Sequence, residues 1–188
     1  MIRSPSIQFF AYCWFLLSLN ACSSFDPKQA SAQDIAAATS IEPASADNGP
    51  TWQAPELVAS RYRALFYGYD SVAYRLSAAQ NQTAGQTEPY RILLDINYGA
   101  KQPRNYQVSP APPINHTRQE TVRCGVYNNF VSACLYRDRG YIELTAAELQ
   151  AAASTGLNLQ LQASDTQDLS MELPASYISG FLQAVNKH

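Results

Sequence analysis

From Val72 onward the chain is governed by an alternation of period two. Val72, Tyr74 and Leu76 alternate with Ala73, Arg75 and Ser77; Tyr90, Ile92, Leu94, Ile96 and Tyr98 alternate with Arg91, Leu93, Asp95 and Asn97. Successive strand side chains point to opposite faces, so each set predicts a strand with one buried face. The polar stretch from Gln80 to Pro89 predicts a loop between them. Pro103, Pro110, Pro112 and Pro113 make Lys101 to Ile114 irregular or an edge segment, because each proline removes a ladder donor. Strands are expected again over Thr117 to Val126, Val131 to Arg137 and Tyr141 to Leu144, the last pair turning at Asp138-Arg139-Gly140. Leu157, Leu159 and Leu161, then Leu169, Met171 and Leu173, predict a hairpin that turns at Ser164 to Asp168.

Helical signals flank this last hairpin. Thr145-Ala146-Ala147-Glu148 is a capping box, in which the threonine oxygen satisfies an orphan amide and the glutamate reaches back. It starts a helix over about 146–154, closed by Gly156. Pro174 opens a second helix over about 174–186, with Tyr177, Ile178, Phe181, Leu182 and Val185 on one stripe. Ala54 to Tyr69 fits two templates: Leu57, Val58, Tyr62, Leu65, Phe66 and Tyr69 make a helical face, while the aromatics suit a strand. Its first half is read as helix. The sum is an α+β fold, an antiparallel sheet with helices on one face or at its ends.

Upstream the texture differs. Ser23 to Pro50 is rich in Ala, Ser, Asp, Gln and Thr and nearly lacks large apolar residues. Such a stretch buries too little surface to offset chain entropy and is expected to be a flexible tether, with Ser31 to Thr39 transiently helical. Its reach as a coil is roughly 30 Å. Residues 51–188 then form a single globular domain, with eleven basic against eleven acidic side chains. Over the whole chain, 13 Lys and Arg stand against 15 Asp and Glu, a net charge of −2 that provides no basic field for nucleic acid.

The amino terminus reads as an export signal occupying residues 1–21. Arg3 precedes an uncharged apolar run from Phe9 to Leu19, about 16 Å long as a helix at about 1.5 Å per residue. That is short for a membrane span, which needs roughly 20 residues. Leu19-Asn20-Ala21-Cys22 follows and resembles the lipobox of bacterial lipoproteins, with Asn20 where the family usually carries Ala, Ser or Thr. The resemblance implies that Cys22 receives diacylglycerol, that the chain is cut before it, and that the new terminus is acylated. Ser23, in place of Asp, implies sorting to the outer membrane of a Gram-negative cell, with the domain on the periplasmic face. The alternative is ordinary cleavage to a soluble secreted protein. The body resembles the small envelope lipoproteins of Gram-negative bacteria, a likeness that implies no biochemical activity.

With Cys13 in the signal and Cys22 lipidated, Cys124 and Cys134 remain to pair in an oxidising compartment. A loop this short gives a disulfide worth roughly 2.8 kcal/mol in the chain-entropy description. Tyr127-Asn128-Asn129-Phe130 is the expected hairpin tip. The cysteines oppose each other directly if the loop holds an odd number of residues or a bulge shifts one strand; Gly125 is the candidate bulge.

Chemistry-bearing motifs are sparse. No metal spacing, phosphate-cradling glycine loop or nucleophile elbow frames a site, and no cofactor is expected. His116 is the one candidate base within the domain before the terminal His188, acting with a serine and with Asp95 as its acidic partner. Arginine outnumbers lysine in the domain, and Arg75, Arg91, Tyr136 and Arg137 are expected to share a ligand surface suited to carboxylates, phosphates or sugars. The competing expectation is a solvated face laced by cross-strand pairs to Asp95, Glu120 and Glu143. The reading is therefore a non-catalytic, lipid-anchored binding domain whose partner is an envelope protein or the cell-wall glycan. The alternatives are an inhibitor of a lysozyme-like enzyme and an envelope hydrolase using His116.

Overall fold

A computed structural model of the chain describes residues 25–43, 49–63, 68–79, 89–127, 131–163 and 168–187. The expected export signal, the lipobox-like Leu19-Asn20-Ala21-Cys22 and Asn128 to Phe130 of the expected hairpin tip lie outside them. In chain order the elements are α1 (Ala32–Ala38), β1 (Ser40–Glu42), β2 (Thr51–Gln53), β3 (Leu57–Arg63), β4 (Gly68–Ala79), β5 (Tyr90–Ala100), β6 (Gln107–Ser109), β7 (Asn115–Tyr127), β8 (Val131–Leu144), α2 (Ala146–Thr155), β9 (Leu157–Gln162), β10 (Leu169–Leu173) and α3 (Ala175–Val185). The architecture is α+β, and every strand pairing among the described residues is antiparallel.

Seven strands form one sheet in the order β1-β2-β4-β5-β8-β7, with β3 also pairing to β4; β10, β9 and β6 form a second, smaller sheet. The alternation dictates which face of the large sheet is covered. Val72, Tyr74 and Leu76 of β4, Ile92, Leu94 and Ile96 of β5, and Ile142 and Leu144 of β8 are buried on one side. Tyr177, Ile178, Phe181 and Leu182 of α3 and Leu159, Leu161, Met171 and Leu173 of the small sheet complete that core. Tyr90 meets Phe181 edge to face at 6.2 Å. The other side of the sheet carries the half-buried Ala73, Arg75, Leu93, Asp95, Arg137, Arg139 and Tyr141.

Two tyrosines join the layers at their hydroxyls. Tyr74 donates to the Glu172 carbonyl at 2.9 Å and accepts from the Glu172 amide at 3.0 Å, tying the large sheet to β10. Pro55 separates β2 from β3 because it has no amide to continue the ladder along β4. Tyr177 fills that gap from α3: its hydroxyl donates to the Pro55 carbonyl at 2.7 Å and accepts from the Leu76 amide at 3.3 Å.

Several expectations are corrected. The first half of residues 54–69 is strand, not helix: Leu57 pairs with Tyr74 and the register continues to Arg63 opposite Gly68. Leu57 and Ala59 are buried while Val58 and Ser60 are exposed, so burial there follows period two; Leu65 and Phe66 lie outside the described residues. Asp138-Arg139-Gly140 is not a turn, because β8 runs unbroken through it, with Gly140 opposite Leu94 on one side and His116 on the other. Gly140 is required by close approach instead: a Cβ there would lie 2.8 Å from the Asn115 carbonyl oxygen and from Ile114 Cγ2. The proline-rich stretch, by contrast, is as expected: it contributes β6, an edge strand of the small sheet paired with β9.

The region read as a flexible tether is also structured in part. Ser31 and Asp34 form a capping box on α1, and Ile35 is fully buried. Gly180 of α3 makes the docking possible, since a Cβ there would strike the Ala32 carbonyl and lie 2.7 Å from Ile35 Cβ. β1 then pairs with β2, Ile41 opposite Trp52. A seven-residue helix with one apolar anchor gives little signal in composition; its stability comes from packing on α3.

Other expectations hold. Thr145 and Glu148 cap α2, and Gly156 ends it with φ at +77°, a conformation that favours glycine. β9 and β10 pair with Leu161 opposite Leu169, their turn residues 164–167 lying outside the described set. Cys124 and Cys134 are bonded and directly opposed. The register is unbroken from Cys124 to Tyr127 against Val131 to Cys134, so Gly125 is not a bulge and three residues separate the paired ends. The register shifts in β7 fall between His116 and Arg118 and between Thr121 and Arg123.

Candidate functional site

The open face of the large sheet builds a site because its three central strands align short and long side chains in rows. Arg75 stands opposite Leu93, and Leu93 opposite Tyr141; one row along, Ala73 stands opposite Asp95, and Asp95 opposite Arg139. The small Ala73 and the apolar Leu93 leave room between the arginines. A depression of about 410 Å³ results, lined by these residues with Glu56, Thr117 and Arg137. That volume is in the range of small-ligand sites, roughly 300–1,000 Å³.

Its electrostatics are uneven. Arg137 Nε donates to Asp95 Oδ1 at 2.7 Å and to Oδ2 at 3.0 Å, and Arg137 Nη2 also donates to Oδ2. Arg139 Nε approaches the same Oδ2 at 3.4 Å. The hydrogen bond from Arg137 holds the Asp95 carboxyl below the usual carboxylate range, and Asp95 in turn raises the Arg137 guanidinium further. Asp95 is thus saturated by two guanidinia. Arg75 makes no hydrogen bond or ion pair among the described residues, and Glu56, exposed at the rim, makes none either.

Of the four residues expected to share a ligand surface, three lie on this face. Arg75 and Arg137 line the depression; Arg91 flanks it, stacked 4.7 Å over the Tyr141 ring and bonded to Glu143 at 3.4 Å. Tyr136 does not join them. It sits on the covered face, stacked on Tyr98 at 5.4 Å, because it is one residue out of phase with Arg137 along β8. The expected cross-strand lacing is present to Asp95, from Arg137 and Arg139, and to Glu143, from Arg91; Glu120 is instead paired within its own strand by Arg118 at 2.9 Å. Sequence pattern does not single out Arg139 and Tyr141, because Asp138-Arg139-Gly140 carries the mark of a turn; the unbroken β8 puts both in phase with Arg137.

His116 meets a different acid from the one expected. Asp95 is on the open face, whereas His116 Nδ1 lies 3.1 Å from Oδ1 of Asp138, a nearly fully buried residue of β8. Among the described residues His116 has no serine hydroxyl bonded to it. Near this pair, Arg104 and Asp70 form a buried ion pair at 2.8 Å, with Arg104 also donating to the Tyr106 hydroxyl and lying 5.0 Å over the Tyr98 ring. Arg104 is therefore consumed in tying the proline-rich segment to β4 and β5. Among the described residues no cluster of three His, Cys, Asp or Glu side chains is disposed to hold a metal ion.

Compared with protein-family models, curated proteins and solved structures, the chain matched none.

Proposed function

We propose that this chain is a non-catalytic binding domain of the Gram-negative envelope, anchored to the outer membrane by lipid on Cys22 and taking its ligand in the depression on the open face of the sheet. The observation that carries the binding reading is Arg75: a guanidinium on the wall of a concave, half-apolar surface, without a hydrogen bond or ion pair among the described residues, where Arg137 and Arg139 on the same face have a carboxylate partner. Rigid strands hold Arg75, Leu93 and Tyr141 at adjacent ladder positions, so the surface is formed before any ligand arrives. The lipobox-like Leu19-Asn20-Ala21-Cys22 supports the anchor. Acyl chains contribute about 0.8 kcal/mol per buried methylene, so several together make a permanent attachment.

The two halves are tested separately. Metabolic labelling with tritiated palmitate is expected to mark the wild type and to be lost in Cys22→Ser, which should leave the membrane fraction; equal labelling of both ends the anchor reading. A photo-crosslinking amino acid at Thr117, on the wall of the depression, is expected to capture a defined envelope component in intact cells, and Leu93→Arg is expected to abolish that adduct. No adduct from Thr117, with the protein present at normal level, rejects the binding site.

A further inference from the structure

We infer that the depression takes a compact ligand bearing an oxyanion, a carboxylate or a phosphate, seated on Arg75 and Arg139 with its apolar body on Leu93 and Tyr141. The inference rests on the binding reading above and adds the chemical class. It follows from counting what the walls can still offer. Both oxygens of Asp95 are occupied by Arg137 and Arg139, so this carboxylate has little left to give a ligand. Among the described residues, Arg139 spends only Nε on Asp95, leaving its two terminal nitrogens, and Arg75 spends no donor on a hydrogen bond or ion pair. The lining therefore holds three guanidinia against two carboxylates, with one carboxylate neutralised in place. A surface with surplus donors and few acceptors selects a ligand rich in acceptors, and planar guanidinium forks bind oxyanions in pairs of parallel hydrogen bonds. The half-buried setting strengthens those bonds relative to bulk water. Glu56 stands exposed at the rim, where solvent screens its opposing charge.

The constellation also makes Asp95 a competitor. A ligand oxyanion seated on Arg75 and Arg139 shares Arg139 with the Asp95 carboxylate and lies beside its negative charge, so removing that charge should strengthen binding even though it removes a native ion pair. A cationic ligand would show the reverse.

The test is calorimetry and amide-resolved NMR on the full chain in detergent at low ionic strength, with four probes: inorganic phosphate, N-acetylmuramic acid, neutral N-acetylglucosamine and the cation spermidine. Phosphate or N-acetylmuramic acid is expected to bind and to shift the amides of Arg75, Leu93 and Tyr141. Arg75→Ala should weaken that binding by about tenfold or more, a charged hydrogen-bonding pair being worth that much. Arg75→Lys should retain part of it, and Asp95→Asn should tighten it by roughly threefold or more through the released guanidinia. Preference for phosphate points to a phosphate-bearing headgroup as the natural source; preference for N-acetylmuramic acid points to wall carboxylates. Arg75→Ala removes no native bond, so unchanged circular dichroism is expected; should Asp95→Asn fail to fold, the Arg75 series decides. Binding of N-acetylglucosamine or spermidine in preference to both anions, or anion binding indifferent to Arg75→Ala, overturns the oxyanion class. That class is likewise overturned, with the binding site intact, if no probe binds while the Thr117 adduct forms in cells. Loss of both rejects the site itself.

Discussion

At the scale of single residues, the same side-chain type does opposite work on the two faces of one sheet. The Arg104 and Asp70 side chains are each 3 % exposed and satisfy one another at 2.8 Å; Arg75, a few residues along β4 on the other face, makes no ion pair among the described residues. Taking two charges out of water costs several kcal/mol each, so the buried pair holds only because both are present. Asp70→Leu and Arg104→Met are each expected to lower unfolding free energy by about 3–5 kcal/mol in urea denaturation, while the double variant should lose clearly less than the sum. Additive losses would mean that the two charges do not sustain each other. Tyr136 and Arg137 make the same point without ionic coupling: adjacent in sequence, they serve core and open surface because a strand turns every other side chain over.

At the scale of elements, the informative piece is α1. It holds itself by a capping box and is held to the body by Ile35 seated against Gly180 of α3. Gly180→Ala is expected to push α1 off and cost about 1–3 kcal/mol, and Ile35→Ala to cost about 2–5 kcal/mol. Both should open the chain near residues 31–40 to limited proteolysis. An unchanged urea midpoint and cleavage pattern for both would mean that α1 does not dock. The docking also changes what the anchor implies. Only eight residues lie between Cys22 and the Ser31 cap, about 30 Å when fully extended against about 90 Å for a chain free to Pro50, so the proposed lipid holds the body closer to the bilayer.

At the scale of the molecule, stability is bounded by pH from both sides through groups spread over the fold. Asp95, bonded by Arg137, and Glu148, bonded by the Thr145 amide, have carboxyls held below their ordinary range. Their contribution is present above that range and is lost as pH falls through the lowered values. Tyr74, Tyr90, Tyr98 and Tyr177 have phenols raised by burial. Neutral phenols are what the core accepts, so their contribution is complete below the ordinary tyrosine value of about 10 and declines as pH rises beyond it. Urea midpoints between pH 3 and 11 should therefore form a plateau with both limbs falling. The alkaline fall should coincide with tyrosinate absorbance, and Tyr98→Phe should make it shallower. An alkaline limb independent of tyrosinate formation would refute this assignment.

Whatever depends on neighbours along the chain is legible in the amino-acid order alone. Alternation placed β4, β5, β9 and β10 and chose their buried faces; the Thr145–Glu148 box started α2, Gly156 ended it, and two cysteines ten apart paired. The tertiary structure decided what depends on partners distant in sequence. Residues 57–63 carry a pattern compatible with helix and become strand because β4 offers a ladder; Gly140 carries the mark of a turn and instead admits the close backbone of β7. Whether an apolar-poor segment stays coil rests on a notch at Gly180, nearly 150 residues away. The candidate site belongs to this second class. Its residues come from Glu56, β4, β5, β7 and β8, and the property that singles out Arg75 is the lack of a hydrogen-bond or ion-pair partner among the described residues, which local sequence cannot express because partners are assigned only when strands pair.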